Sequence, residues 1–228
     1  EYITGTGTNN DDPLFPHVRY GIIDDGKFKQ EHKLIPLNKS IPKDAISIST
    51  GIYFLTVNEK QQAKRNFSAK GIQETCENAG RVAYSVVAES DALEEGASVS
   101  TVVDWLTSLA SELGIEDSEY RLFYSGHRSI HLHTDYFIRH QDLSRLEDDV
   151  KSFNKSEDAD LDISIYSAKS QFRLIGTEHS KTNLCKVQIS DSANNKDVVK
   201  KATDVTTDLS SPYSLPNRIS NQLAAGNS

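Results

Sequence analysis

Apolar and polar positions along the chain follow two different periods, and the local period predicts the element. Residues 45–57 (AISISTGIYFLTV) are dense in Ile, Tyr, Phe and Val and predict a strand. Residues 82–88 (VAYSVVA) form a short apolar run suited to a buried strand. The polar stretch between them, 58–81, reads as partly helical. Val99, Val102, Val103, Leu106, Leu109, Ala110 and Leu113 recur at helical spacing, so residues 98–113 predict a helix with one apolar face. Ser98 or Ser100 supplies its N-cap, and Gly114 ends it in a left-handed turn. Residues 120–124 and 130–138 predict two strands around a Ser-Gly-His-Arg turn, followed by a helix over 141–153. Residues 161–166 and 171–175 predict a hairpin closing at 167–170. The first 18 residues, rich in Gly, Asn, Asp and Pro, read as an extended arm. The last forty are polar, with a short helix near 197–204. No internal repeat is present.

Composition narrows the class. The 228 residues suffice to bury a substantial core, and 36% are hydrophobic. No apolar run reaches the length of a transmembrane helix, and the chain starts without a secretory signal pattern. It begins at Glu1, which reads as an excised fragment or a processed chain, and it contains no Met, which is unusual at this length. Two cysteines, Cys76 and Cys185, form no Cys-x-x-Cys pair, which argues against both a disulfide framework and a zinc knuckle. The expectation is two reduced thiols in a cytoplasmic protein. A net charge of −8, taken alone, argues against a dedicated nucleic-acid binder but leaves room for an enzyme with acidic catalytic groups.

Three segments carry candidate chemistry. Glu89 and Asp91 follow the apolar run directly and, two apart on a strand, project to one side. Paired carboxylates there suit a hard divalent cation; the plainer alternative is a solvated acidic turn. In Ser125-Gly126-His127-Arg128-Ser129-Ile130-His131-Leu132-His133, Ile130 and Leu132 face the core while His131 and His133 face the other way. Gly126 permits a tight turn, and Arg128 and His131 are candidates for phosphate oxygens. A zinc site on His127, His131 and His133, or histidines at the surface without function, are the alternatives. Third, Asp162, Ser164 and Tyr166 share one predicted strand face, and the hairpin returns Arg173 near Asp162. A structural ion pair explains that pairing equally well.

In this order the three segments resemble the archaeo-eukaryotic primase superfamily, especially the primase-polymerases of viruses, plasmids and mobile elements. Glu89 and Asp91 match its carboxylate-x-carboxylate motif. Ser125, Gly126, Arg128 and His131 match Ser-Gly-x-Arg-Gly-x-His, and Asp162 matches the later acidic position. FRLIGTEHSKTN, residues 172–183, is similar to the family's downstream pattern through Arg173, Gly176 and Lys181, and IYFLTVN, 52–58, is similar to an upstream stretch. The resemblance covers residues 50–190. The chain departs from the pattern at Glu89, where Asp is commoner, and at Ser129, where Gly is usual.

The resemblance implies an α/β (α+β) fold with an RNA-recognition-like antiparallel sheet and a small second subdomain. It divides the chain into an N-terminal arm and accessory segment (1–44), a catalytic core (45–190) and a polar C-terminal extension (191–228). It implies template-directed nucleotidyl transfer, DNA primase or DNA polymerase, by a two-metal mechanism. Glu89, Asp91 and Asp162 would hold Mg²⁺ or Mn²⁺, and Ser125, Arg128, His131, Arg173 and Lys181 would bind the nucleotide. The implied partners are single-stranded DNA, nucleoside triphosphates and a helicase domain or protein, with no membrane. The compartment would be the cytoplasm, or the site of replication in a host. The alternative is a catalytically inactive primase-like module that binds single strands or a replication partner; a zinc hydrolase built on the histidines is a third.

Overall fold

The computed structural model describes residues 14–24, 27–36, 42–64, 69–167 and 170–205. Its most regular helix is the one the periodicity predicts. Helix α3 spans Val99–Glu112 in chain order, with Val99, Val102, Val103, Leu106, Leu109 and Ala110 buried. Each buried Val or Leu contributes about 1.5–3 kcal/mol of apolar transfer free energy before entropy is counted. Ser98 caps it, accepting from the Thr101 N–H at 3.0 Å. Past its end Gly114 takes φ +72°, the left-handed conformation that lets the chain leave the helix cheaply.

The other helices are α1 (Val57–Lys64), α2 (Ala69–Asn78), α4 (Leu143–Glu157) and α5 (Asn195–Thr203). The strands are β1 (Phe15–Asp24), β2 (Lys27–Pro36), β3 (Ala45–Leu55), β4 (Val82–Ser90), β5 (Tyr120–Tyr124), β6 (Ile130–Arg139), β7 (Gln171–Arg173) and β8 (Val187–Ile189). They form one open sheet in the order β2-β1-β3-β4-β6-β5-β8, with β7 paired to β3. The named strand pairs are all antiparallel. The chain is therefore a mixed α and β protein built on an antiparallel sheet.

Register sorts the central strands into two faces. Ala88, Leu132, Leu122 and Ile189 lie in one cross-strand row, and Ser90, Ile130, Tyr124 and Val187 in another. Apart from Ser90, these side chains join the buried face of α3, with Val150 and Phe153 of α4 and Val198 of α5, in the main core. The alternate row is Glu89, His131, Phe123 and Gln188, and beside it run Val87, His133 and Arg121. That second face carries the candidate chemistry.

Two expectations are corrected. Residues 161–166 do not form a strand, and no hairpin links them to 171–175. Asp162 instead caps a single 3₁₀ turn, Ile163–Ile165, by accepting from the Ser164 N–H at 2.7 Å. The short aspartate side chain competes with an extended ladder by closing its own turn. Tyr166 then turns inward and donates to the Val87 carbonyl at 3.0 Å. The returning strand β7 pairs with β3 through Ser47, Ile48 and Ser49. The arm expected over residues 1–18 gives way to β1 at Phe15, and residues 1–13 lie outside the described ones. Strands β1 and β2, in the accessory segment, lengthen the same sheet beyond β3.

Candidate functional site

Strand β4 delivers the first acidic pair. Glu89 lies opposite His131 in the ladder, and its Oε1 sits 3.1 Å from His131 Nε2. Burial pushes the Glu89 carboxyl up. The His131 charge, hydrogen bonds from His131 and Ser129, and the charge on Lys186 outweigh that and leave it at about 2. Glu89 is thus an ionised carboxylate in a largely buried place. Asp91, just past the strand, behaves oppositely. Burial and the Glu89 charge push its carboxyl up, Arg128 opposes them, and Asp162 adds to the rise. The three carboxylates share one electrostatic field.

The turn after β5 supplies the cations. Ser125 Oγ accepts from the N–H groups of His127 (3.3 Å) and Ser129 (3.2 Å), so this serine folds the loop onto itself. Gly126 has φ +86°, and a Cβ there would stand 2.4 Å from the Leu184 carbonyl oxygen. Thr182 Oγ1 clamps the same loop by donating to the Gly126 carbonyl at 2.5 Å. Arg128, held out by this loop, reaches Asp91 Oδ2 at 2.8 Å and Glu94 Oε2 at 2.5 Å.

His131 and His133 both point away from the α3 core, as the alternation predicts, yet neither is at the surface. They are 5% and 0% exposed. Phe172 of β7 packs edge-on against both rings, with centroids 4.9 Å away in each case. Burial lowers the pKa of His131, with Glu89 opposing and Lys186 adding; burial and Lys186 lower that of His133 well below the ordinary value.

Asp162 is tied to Glu89 through the main chain, its N–H donating to the Glu89 carbonyl at 2.8 Å. Arg173 follows Phe172 and is largely buried. Burial lowers its pKa, while the Glu89 charge raises it. Its Nη1 is buried with no hydrogen-bond partner among the described residues. Lys181 stands further out: it is exposed, and its backbone N–H donates to His179 Nδ1 at 3.1 Å. The His179 ring stacks on His127 at 4.6 Å, and burial, with nearby cations, lowers its pKa to about 4. The fold therefore gathers Glu89, Asp91, Asp162, Arg128, His131 and Arg173 around the end of β4. Lys181 sits on the rim, and Ser125 serves as scaffold.

Lys186 is the residue sequence reasoning missed. It is 0% exposed, with Nζ 3.0 Å from His131 Nδ1 and 3.3 Å from His133 Nε2. Burial lowers its pKa to about 7, against the Glu89 charge and with that of Arg173. A lone lysine next to Val187 and Ile189 reads as a solvent-facing strand position; nothing local shows that β7 covers that face. The two histidines thus turn ring nitrogens to a lysine, the place a zinc ion would take in the metallohydrolase alternative. Cys76 and Cys185 are free, buried thiols.

Among the described residues, no group of three or more His, Cys, Asp or Glu is gathered closely enough to hold a metal ion as placed. Glu89 is engaged by His131, Asp91 by Arg128, and Asp162 by the Ser164 N–H. The donor set nevertheless suits Mg²⁺ or Mn²⁺ chemically, because it is all carboxylate, and the Glu89 and Asp162 charges add to burial in raising the Asp91 carboxyl. No helix among the described residues is long and apolar enough to cross a membrane.

Compared with known proteins, the chain matches no family model, no curated protein and no solved structure.

Proposed function

We propose that this chain is a primase-polymerase-like nucleotidyl transferase that extends a strand on a single-stranded DNA template. The observation that supports this most is the convergence at the end of β4. Three acidic residues from two distant segments share one field there, beside Arg128, His131 and Arg173.

Glu89, Asp91 and Asp162 would hold Mg²⁺ or Mn²⁺, which when bound supplies charge neutralisation on the phosphates and a more acidic attacking hydroxyl. Arg128 would exchange its carboxylate partners for the triphosphate, a swap its half-exposed guanidinium permits. Arg173 Nη1 has no hydrogen-bond partner among the described residues, which leaves it to a phosphate oxygen. Lys181 adds an exposed cation at the rim. This local positive cluster answers the anionic substrate within a chain whose net charge is −8.

Primer extension on a single-stranded template, with Mg²⁺ or Mn²⁺, tests the reading. The expected result is extension by the wild type and loss in Asp91→Ala and His131→Ala. Full activity in folded Asp91→Ala would overturn it. One observation favours a second reading, an inactive binding module: Arg128 already closes on Asp91 and Glu94. Nucleotide or single-strand binding by a folded wild type that never extends a primer would support that module.

A further inference from the structure

The reading above uses His131 but not the buried lysine behind it. Lys186 Nζ lies 3.0 Å from His131 Nδ1, on one side of the ring. On the other side, His131 Nε2 lies 3.1 Å from Glu89 Oε1 and 3.0 Å from Ser129 Oγ. An ionised carboxylate only accepts hydrogen bonds, so the ring nitrogen facing Glu89 carries the hydrogen. Nδ1 is then a bare lone pair, and the amine facing it donates. Which nitrogen of an imidazole is protonated is set by the bond the other nitrogen makes. The phenyl rings of Phe123 and Phe172, with centroids 5.3 Å and 5.4 Å from Nζ, flank the amine, and Lys186 has no exposed surface.

We infer that Lys186 is a positioning residue: it donates to His131 Nδ1 and holds that ring in the Nε2–H tautomer, with the N–H aimed at Glu89. Its second bond, to His133 Nε2 at 3.3 Å, pins Nζ between the two rings and makes His133 the opposite tautomer. His133 thus has a role as an anchor for the lysine, which explains a histidine with no exposure at all. The consequence for catalysis, a correctly presented His131 N–H, rests on the nucleotidyl-transfer reading; the tautomer itself does not.

Long-range ¹H–¹⁵N spectra of the histidine rings, taken on the full chain at one pH and without nucleotide, decide the matter. Wild type is expected to show His131 protonated at Nε2 and bare at Nδ1. Glu89→Gln replaces the carboxylate with an amide that can accept from the ring or donate to it, so the lysine alone is then expected to keep the wild-type pattern. Glu89→Gln combined with Lys186→Met, which keeps the bulk and loses the donor, is expected to give a mixture of tautomers. A wild-type His131 protonated at Nδ1 overturns the inference, as does a mixture in folded Glu89→Gln or an unchanged pattern in the folded double variant. Should the double variant fail to fold, Glu89→Gln carries the test: retention of the pattern supports the lock, and a mixture overturns it. Absence of primer extension by the wild type would count against the proposed function and leave these spectra unaltered.

Discussion

The backbone N–H of Asp162 donates to the carbonyl oxygen of Glu89 over 2.8 Å, joining the third acidic segment to the end of the strand that carries the first. This bond belongs to the main chain and does not use the Asp162 side chain. The Asp162 carboxylate separately caps its own turn through the Ser164 N–H. Asp162→Asn keeps a capping oxygen and removes the charge, whereas Asp162→Ala removes both. Asp162→Ala is expected to lose about 1 kcal/mol of stability and Asp162→Asn only a few tenths. If the proposed function holds, both lose about a hundredfold or more in extension rate. Thermal melts beside the extension assay separate the two effects.

Glu89 makes stability depend on acid. Its carboxyl is held at about 2, below the ordinary 4.5, so the stabilisation is fully present above 4.5 and is lost as pH falls through 2. Glu89→Gln removes that contribution and leaves His131 without its carboxylate. The variant is expected to be about 3 kcal/mol less stable near neutral pH, the linkage value of the lowered carboxyl. The gap to wild type shrinks as pH falls from 4.5 toward 2. Urea melts across that range measure it; a constant gap would contradict the pairing.

Gly126 tolerates no side chain. A Cβ would collide with the Leu184 carbonyl oxygen at 2.4 Å, in a backbone conformation that L-residues adopt at a cost. Gly126→Ala is expected to cost about 2 kcal/mol or more and to displace the turn that holds Arg128. Calorimetry reads the first effect. Loss of the Arg128–Asp91 contact, seen as a further rise of the Asp91 pKa in carboxyl titration, reads the second.

Away from the site, Arg81 makes a fork with Glu59, both contacts 2.7 Å, and its Nη1 also donates to the Phe54 carbonyl at 2.7 Å. The Arg81 hydrogen bonds hold the Glu59 carboxyl below its ordinary value against the cost of burial. Arg81→Met is expected to destabilise by about 2 kcal/mol, between the values for exposed and fully buried pairs. The loss is full above the ordinary glutamate pKa and fades as pH falls through the lowered folded-state value. Denaturant melts at two pH values check both magnitude and sign.

Local pattern carried much of the architecture. The spacing of Val99, Val102, Leu106 and Leu109, with Ser98 before and Gly114 after, determined α3 and its caps. Alternation determined that Ile130 and Leu132 share one face of β6 and His131 and His133 the other. Strand ends next to acidic pairs pointed to Glu89 and Asp91. Strands β1 and β2 were not legible, because polar residues dominate a segment whose extended form is secured by pairing with β3. The turn at Asp162 was misread because alternating Ile and polar residues suit a strand as well as a capped turn. Only tertiary packing decides between them, here through Tyr166 under Val87. What covers the second face of the sheet was equally out of reach. Burial of His131, His133 and Lys186 depends on β7 pairing with β3 and laying Phe172 over both rings. Periodicity reports which face a residue takes; whether that face meets water or protein is settled by a contact between segments far apart in the chain.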